Sequence, residues 1–206
     1  MMRMREQLST QIIEAGKFLY SRGWSPATSS NYSARLDQQH ILLTASGKHK
    51  GQLTAADILL CNAQGDSLEQ AKQPSAETLL HAQLYQLRPK VGAVLHTHSI
   101  NATVISLASK TTQLRLTGYE LQKAFSGINT HECELIIPIF DNTQNMLSLC
   151  AQIAPYLAAH PDCWAYIIRG HGVYTWGADM NESLRHIEAL EFLLECELKL
   201  LSLGAH

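Results

Sequence analysis

The sequence lacks the features that would place it in several large classes of protein. Its five cysteines are scattered and form no CxxC pair, so neither a disulfide framework nor a cysteine zinc knuckle is expected, and a reducing cytoplasm suits them best. No apolar run reaches membrane-spanning length, and no apolar h-region of a signal peptide follows the basic first residues. The formal net charge of -2 provides no basic field for nucleic acid or an anionic membrane. We therefore expect a cytoplasmic globular protein that binds neither nucleic acid nor membrane.

The chain also lacks internal repeats, low-complexity tracts and flexible linkers that would divide it. A length of 206 residues suits one full-sized core, so a single domain over residues 1–206 is predicted. Strand-like and helix-like segments are interspersed, which predicts a sheet covered by helices. Several connections between strands are too short for parallel crossovers, so the expected fold is α/β with a mainly antiparallel or mixed sheet.

Apolar periodicity and capping residues predict the individual elements. The predicted helices cover 5–21, 75–88, 101–108, 145–159 and a long last helix that starts at the capping box Asp179-x-x-Glu182. The predicted strands cover 31–36, 41–44, 58–61, 91–98, 134–140, 164–168 and 173–176.

The sharpest local pattern is His96-Thr97-His98, which ends a strand-like run. Residues i and i+2 of a strand point to the same face, so both imidazoles can reach one ion while Thr97 turns away. His171 is a third candidate, because the glycines on both sides of it let the backbone bend sharply. Three neutral imidazoles with an open position are typical of a catalytic zinc. For His-x-His alone, two hydrogen-bonded histidines without a metal are the alternative interpretation.

Two carboxylates are candidates for the proton transfer that enolate chemistry at a metal requires. Glu77 lies at the start of the helix predicted at 75–88, and its alternative role is to interact with the helix dipole. Glu120 lies between apolar segments, where partial burial would raise its pKa, and its alternative role is that of a solvated acid. The residue types leave both alternatives open. His81 and His186 lie inside predicted helices and are expected to be packed or solvated rather than ligands.

Three segments rich in small and hydroxyl residues are candidates for a phosphate site. They are 29–33, 45–48 and Pro74-Ser75. Converging backbone N–H groups and hydroxyls bind phosphate without any basic field. Each segment is also an ordinary turn composition, so none alone identifies a ligand.

Taken together, these motifs resemble the zinc-dependent class II aldolase/adducin family. The matching elements occur in the family's order over residues 8 to about 200 and are Asn31, Ser46-Gly47, Pro74-Ser75-Ala76-Glu77, His96-Thr97-His98 and His171-Gly172. The resemblance implies a three-layer α/β/α fold with a mainly antiparallel central sheet. It also implies a homotetramer with sites at subunit interfaces, and a small phosphorylated sugar as substrate. One Zn2+ per subunit would lie on His96, His98 and His171.

Four longer strings are more similar to dehydratases of the family than to its aldolases, and they cover 96–99, 116–127, 136–143 and 169–177. They imply dehydration of 5-methylthioribulose 1-phosphate to 5-methylthio-2,3-dioxopentyl phosphate in methionine salvage, through a zinc-stabilised enediolate. In the dehydratases the acid/base falls at Glu120, whereas in the aldolases the proton-handling glutamate falls at Glu77. Glu77 is then either a fourth metal contact or a group that positions the substrate.

The family's phosphate pocket maps onto Asn31, Ser46, Gly47 and Ser75. Ala76 replaces a second serine of the aldolases, which weakens the aldolase interpretation. A sugar-phosphate aldolase or 4-epimerase of the fuculose-1-phosphate type remains an alternative, because it shares the metal ligands. A non-catalytic, adducin-like interaction module is the other alternative, although a pure scaffold needs no open metal site. Fold alone does not separate these functions.

Overall fold

One eight-stranded sheet forms the centre of the fold in a computed structural model, which describes residues 2–69 and 72–204. The strands are β1 (Asn31–Arg35), β2 (His40–Thr44), β3 (Ile58–Asn62), β4 (Ala93–Thr97), β5 (Gln113–Thr117), β6 (Glu134–Phe140), β7 (Ala165–Ile168) and β8 (Gly172–Gly177). Their spatial order is β3-β2-β1-β4-β8-β7-β6-β5. Among the strands described, β6 and β7 alone pair in parallel, and this confirms the mainly antiparallel sheet expected from the short connections.

Helices cover both faces of the sheet, as the interspersed pattern predicts. They are α1 (Met2–Ser21), α2 (Thr78–Leu87), α3 (Ile100–Ala108), α4 (Met146–Ala159) and α5 (Met180–Ser202). The apolar residues of α1, α3 and α5 share one buried cluster, and those of α2 and α4 share a second one. Alternate strand residues enter opposite clusters: Leu95 lies in the first and Val94 in the second. Each such fully buried aliphatic side chain contributes roughly 2 kcal/mol to folding.

Some element bounds differ from the predicted ones for local reasons. Helix α2 begins at Thr78 instead of Ser75, because Ser75 and the next two residues form a turn in which the Thr78 N–H donates to the Ser75 carbonyl. Strand β5 has no predicted counterpart. It lies at the edge of the sheet, where its polar residues are partly exposed and Leu116 is its one fully buried side chain. Within the described part of the chain, no helix has both the length and the apolar character to cross a membrane.

The middle of the sheet brings distant parts of the chain to one end. Strand β4 pairs with β1 on one side, where His96 lies opposite Asn31, and with β8 on the other side. The turn between β7 and β8 carries His171 to the same end, next to the last residues of β4. Gly172 makes this approach possible, because a Cβ atom there would lie 2.1 Å from the Thr97 carbonyl oxygen.

Candidate metal centre

Four side chains converge at this end of the sheet: Glu77, His96, His98 and His171. One ligand atom from each lies within 4.8 Å of the corresponding atoms of the other three. The ring centroids of His96 and His98 are 4.6 Å apart, and those of His98 and His171 are also 4.6 Å apart. The structure therefore brings together the three histidines that the sequence singles out, and it adds Glu77 to them.

The two histidines of the His-x-His motif have the properties of metal ligands. The Nδ1 atom of His96 lies 3.0 Å from the Val173 carbonyl oxygen, a hydrogen bond that fixes the ring and leaves Nε2 as the acceptor. Within the described residues, the buried Nε2 atoms of His96 and His98 have no hydrogen-bond partner. Burial lowers the pKa of His96 well below its usual value and that of His98 to about 4, so both rings are neutral. Neutral rings with unpartnered nitrogens fit a bound cation.

Glu77 faces the histidines as an ionised carboxylate. Its Oε1 lies 2.9 Å from His171 Nε2, and its Oε2 lies 3.5 Å from His96 Nε2. The Asn31 amide donates a hydrogen bond to Oε2 at 2.5 Å. Burial acts to raise the pKa of Glu77, but the hydrogen bond from His171, the electrostatic interaction with the facing imidazoles and the Asn31 amide outweigh it and lower the pKa. Three imidazoles and one carboxylate form a donor set that suits a divalent transition metal.

A buried hydrogen-bond chain lies behind Glu77 and orients it. The Asn31 side-chain oxygen is bonded to His81 Nε2, and His81 Nδ1 lies 2.7 Å from the Ser33 hydroxyl. The same hydroxyl lies 2.8 Å from that of Tyr85. Burial lowers the pKa of His81 to about 3, so it acts as a neutral connector. His81 is packed, one of the two environments expected for it, but its link to Glu77 was not predicted. Glu77 directly precedes α2 and His81 lies four residues later, a spacing that puts two side chains on the same face of a helix.

A cavity of about 380 Å³ opens beside the cluster. Glu77, His98 and His171 line one part of it. All four residues of the expected phosphate pocket line it as well: Asn31, Ser46, Gly47 and Ser75. The candidate metal site therefore opens directly onto the hydroxyl-rich segments that the sequence offers for a phosphate. The lining also includes Lys50, which sequence reasoning missed.

The backbone around this cavity adopts unusual conformations. Ser30, a residue with a side chain, has a φ of 72°, in the left-handed region that such residues rarely enter. Gly47 has a φ of 69°, which a glycine adopts without strain. Backbone strain of this kind persists where the surrounding structure enforces it, and it is concentrated at functional sites.

Glu120 lies in a different environment from the one expected. It belongs to the 3-10 turn Glu120–Ala124, and its side chain is 71% exposed. The carboxylate lies 2.6 Å from Lys123 Nζ and 3.9 Å from His131 Nδ1, and it does not line the cavity. The expectation that burial raises its pKa is wrong: the hydrogen bond from Lys123 lowers the pKa, because the turn leaves the carboxylate in solvent.

Comparisons with known proteins agree with this geometry. The sequence model described as Class II Aldolase and Adducin N-terminal domain matches residues 10–198. The chain belongs to the class II aldolase and adducin family. Two solved structures share its fold. One is YgbL, a putative aldolase/epimerase/decarboxylase from Klebsiella pneumoniae, with a TM-score of 0.81, 23% identity and coverage of 95% of this chain and 90% of that one. The other is L-fuculose-1-phosphate aldolase from Thermus thermophilus, with a TM-score of 0.78, 24% identity and coverage of 98% of this chain and 100% of that one.

Curated relatives within the family are much more similar in sequence. A methylthioribulose-1-phosphate dehydratase from Pseudomonas aeruginosa PAO1 is 63% identical over 200 residues, which cover 97% of this chain and 98% of the relative. A second one, from Pseudomonas syringae pv. syringae, is 63% identical over 196 residues, which cover 95% of this chain and 96% of the relative. The two solved structures share the fold at less than half of this identity, so sequence similarity favours the dehydratases over the fuculose-1-phosphate aldolase.

Proposed function

We propose that this chain is a hydro-lyase of methionine salvage. It removes water from 5-methylthioribulose 1-phosphate and forms 5-methylthio-2,3-dioxopentyl phosphate. The observation that carries the proposal is the convergence of His96, His98 and His171 with Glu77 beside a hydroxyl-lined cavity. It occurs in a chain that is 63% identical to methylthioribulose-1-phosphate dehydratases over nearly its whole length.

We propose that the cation is zinc, one per chain, held by His96, His98 and His171. When bound, zinc supplies a Lewis acid that polarises the substrate's carbonyl. Glu77 completes the donor set when no substrate is present and positions the substrate when it is. The Asn31 amide and the His81 ring keep the Glu77 carboxylate directed at the cluster.

The phosphate end of the substrate occupies the part of the cavity lined by the hydroxyls of Ser46 and Ser75 and by the backbone of Gly47. Asn31 contributes there through its second amide hydrogen, because the first is donated to Glu77. These contacts fix the orientation of the sugar carbons relative to the metal and take no part in the chemistry.

We assign proton transfer to Glu120. Its carboxylate removes the proton from C3 and donates a proton to the C4 hydroxyl as water departs. The resulting enol tautomerises to the 2,3-diketone. In its own chain, the Glu120 carboxylate is exposed and lies outside the cavity. It can perform this role when a second copy of the chain brings it to the metal site. We therefore propose a homotetramer of single-domain chains in the cytoplasm, with Glu120 placed at the site of a neighbouring subunit.

The direct test is incubation of the purified, metal-loaded protein with 5-methylthioribulose 1-phosphate, followed by mass spectrometry. The expected product is lighter than the substrate by one water and carries two adjacent carbonyl groups. Release of dihydroxyacetone phosphate from fuculose 1-phosphate, with no dehydration, would assign the chain to the aldolases instead. A protein that retains no metal and acts on neither substrate would support the adducin-like interaction module.

A further inference from the structure

Lys50 is a lysine inside the protein. Only 1% of it is exposed, although it lies in the short turn Lys50–Gln52 near the surface segments around the cavity. Lysine is almost never fully buried without a partner, because its ammonium loses hydration when it leaves water. Burial lowers the pKa of Lys50 to about 8, opposed by the negative charge of Glu77. An ammonium that is buried and still protonated near neutral pH needs partners that compensate for its lost hydration.

Two of the three N–H groups of the ammonium are used by the walls of the cavity. Lys50 Nζ lies 2.7 Å from the Lys48 carbonyl oxygen and 3.2 Å from the Thr28 carbonyl oxygen. Both carbonyls belong to segments that form the rim of the cavity. Thr28 is the first residue of the lining segment 28–31, and Lys48 directly follows the lining residues Ser46 and Gly47. An ammonium has three donors. One N–H of Lys50 is therefore left for a partner in the cavity, which Lys50 itself lines.

The charge of Lys50 is also uncompensated at close range. Across residues 2–69 and 72–204, no carboxylate lies within 4.0 Å of its ammonium, and Glu77 acts on it only at a distance. The other donors around the cavity, such as Ser46 and Ser75, are neutral. A buried cation beside neutral hydroxyls suits a small anion, because hydrogen bonds between ionised groups are short and strong.

Close packing of the backbone around Lys50 holds this lysine in place. The Lys50 carbonyl oxygen lies against Gly16 of α1, where a Cβ atom would be only 2.5 Å away. On the next residue, a Cβ atom at Gly51 would lie 2.5 Å from the ring of Tyr20. Close backbone packing against α1 therefore fixes the point from which the side chain enters the cavity.

We propose that Lys50 is the charged anchor for the phosphate group of the substrate: two of its N–H groups hold the rim segments together and the third is donated to the anion. This inference deepens the proposed function, because it names a residue that recognises the substrate's charge. Its test uses inorganic phosphate as the probe, so it does not depend on turnover.

The test compares Lys50→Met with Lys90→Gln in metal-loaded protein. Methionine has a similar length and an apolar stem, so it fills the buried space without a charge. Lys90 is the matched control: it is an exposed lysine in the loop between α2 and β4, and it does not line the cavity. Phosphate affinity is measured by calorimetry, with metal content and circular dichroism recorded for each variant. If Lys50→Met does not fold, Lys50→Gln replaces it.

We expect Lys50→Met to bind inorganic phosphate roughly tenfold to a hundredfold more weakly than the unmodified protein, as for the loss of a charge-assisted hydrogen bond. Its metal content stays unchanged, and its KM for the phosphorylated substrate rises more than its kcat falls. Lys90→Gln stays within about twofold of the unmodified protein, as expected for an exposed charge. Unchanged phosphate affinity in a folded, metal-loaded Lys50→Met or Lys50→Gln protein overturns the proposal.

The proposed dehydratase function and the proposed Lys50 anchor are refuted by different results. If the unmodified protein binds phosphate through Lys50 but does not dehydrate methylthioribulose 1-phosphate, the proposed function is wrong and the anchor remains. If the unmodified protein is an active dehydratase and folded Lys50→Met binds phosphate as tightly as it does, the anchor is wrong and the function remains.

Discussion

Glu77 and Glu120 are the same type of residue in opposite environments. Glu77 is largely enclosed, receives a hydrogen bond from Asn31 and lies within 3.5 Å of both His96 and His171. Glu120 lies in a surface turn and pairs with Lys123. A carboxylate fixed among metal ligands is suited to coordination and positioning, whereas an exposed one stays free to exchange protons. The comparison teaches that, under the proposed roles, nearness to the candidate metal centre within one chain is not what marks the acid/base.

Removal of a metal ligand should have the largest effect, because both glutamates depend on the cation. We expect His96→Ala to lose its bound metal and at least about a thousandfold of kcat/KM, since the cation provides the main stabilisation of developing charge. Metal analysis and steady-state kinetics on the same sample measure the two losses. His40→Ala, a change at the first residue of β2 and outside the cavity, serves as the control. Loss of the metal with activity retained would contradict the account.

Glu120→Gln should have the next largest effect and would sharpen the contrast between the glutamates. We expect it to keep its metal and to lose roughly 10²-fold to 10⁴-fold of kcat, the usual contribution of a general acid/base. Stopped assays of diketone formation, with metal analysis alongside, measure this. A mild effect of Glu120→Gln together with a large kcat effect of Glu77→Gln would transfer the acid/base role to Glu77.

A mixing experiment tests whether Glu120 acts on a neighbouring subunit. Neither Glu120→Gln nor His96→Ala is expected to be active alone. In a mixed oligomer, however, an intact metal site of a Glu120→Gln chain can receive Glu120 from a His96→Ala chain. We expect activity to appear after the two proteins are unfolded and refolded together. Activity that stays at the level of the separate variants would place Glu120 at the site of its own chain.

Glu77→Gln should have a smaller effect and one of a different kind. Glutamine keeps the shape but removes the charge that faces His96 and His171, so we expect metal affinity to fall by roughly 10-fold to 100-fold. With the metal restored in excess, turnover should largely recover. Competition with a chelator measures the affinity, and a kcat that stays low at saturating metal would break the assignment of Glu77 to positioning.

Ser75→Ala should have the smallest effect, because it removes one neutral donor from the phosphate pocket. We expect the KM for the phosphorylated substrate to rise by roughly twofold to tenfold, with kcat and metal content nearly unchanged. Ser67→Ala, in a hairpin outside the cavity, is the matched control. An unchanged KM would remove Ser75 from the pocket.

The sequence predicts the pairing of His96 with His98 because their geometry is local. The alternation of side chains in β4 aligns His96 with His98, and the glycines beside His171 indicate a turn. The partnership between Asn31 and His81 could not be predicted, since it depends on β1 lying between β2 and β4 and on α2 packing over them. The burial of Lys50 is equally a tertiary result, because nothing in its own segment indicates that α1 covers it.

The exposure of Glu120 shows a second limit of prediction from sequence, because here the sequence favours burial and the structure shows exposure. Its neighbours in the chain are apolar, which favours burial, yet the 3-10 turn directs the carboxylate into solvent. Leu121, next to it, remains 40% exposed as well. Apolar residues predict burial only when the fold of one chain provides a surface to cover them.

The most direct test of the central claim is titration of metal-stripped protein with zinc while diketone formation from 5-methylthioribulose 1-phosphate is measured. The account predicts no dehydration without metal, and activity that rises in proportion to zinc until one equivalent per chain is bound. Full dehydratase activity in the metal-stripped protein would contradict it.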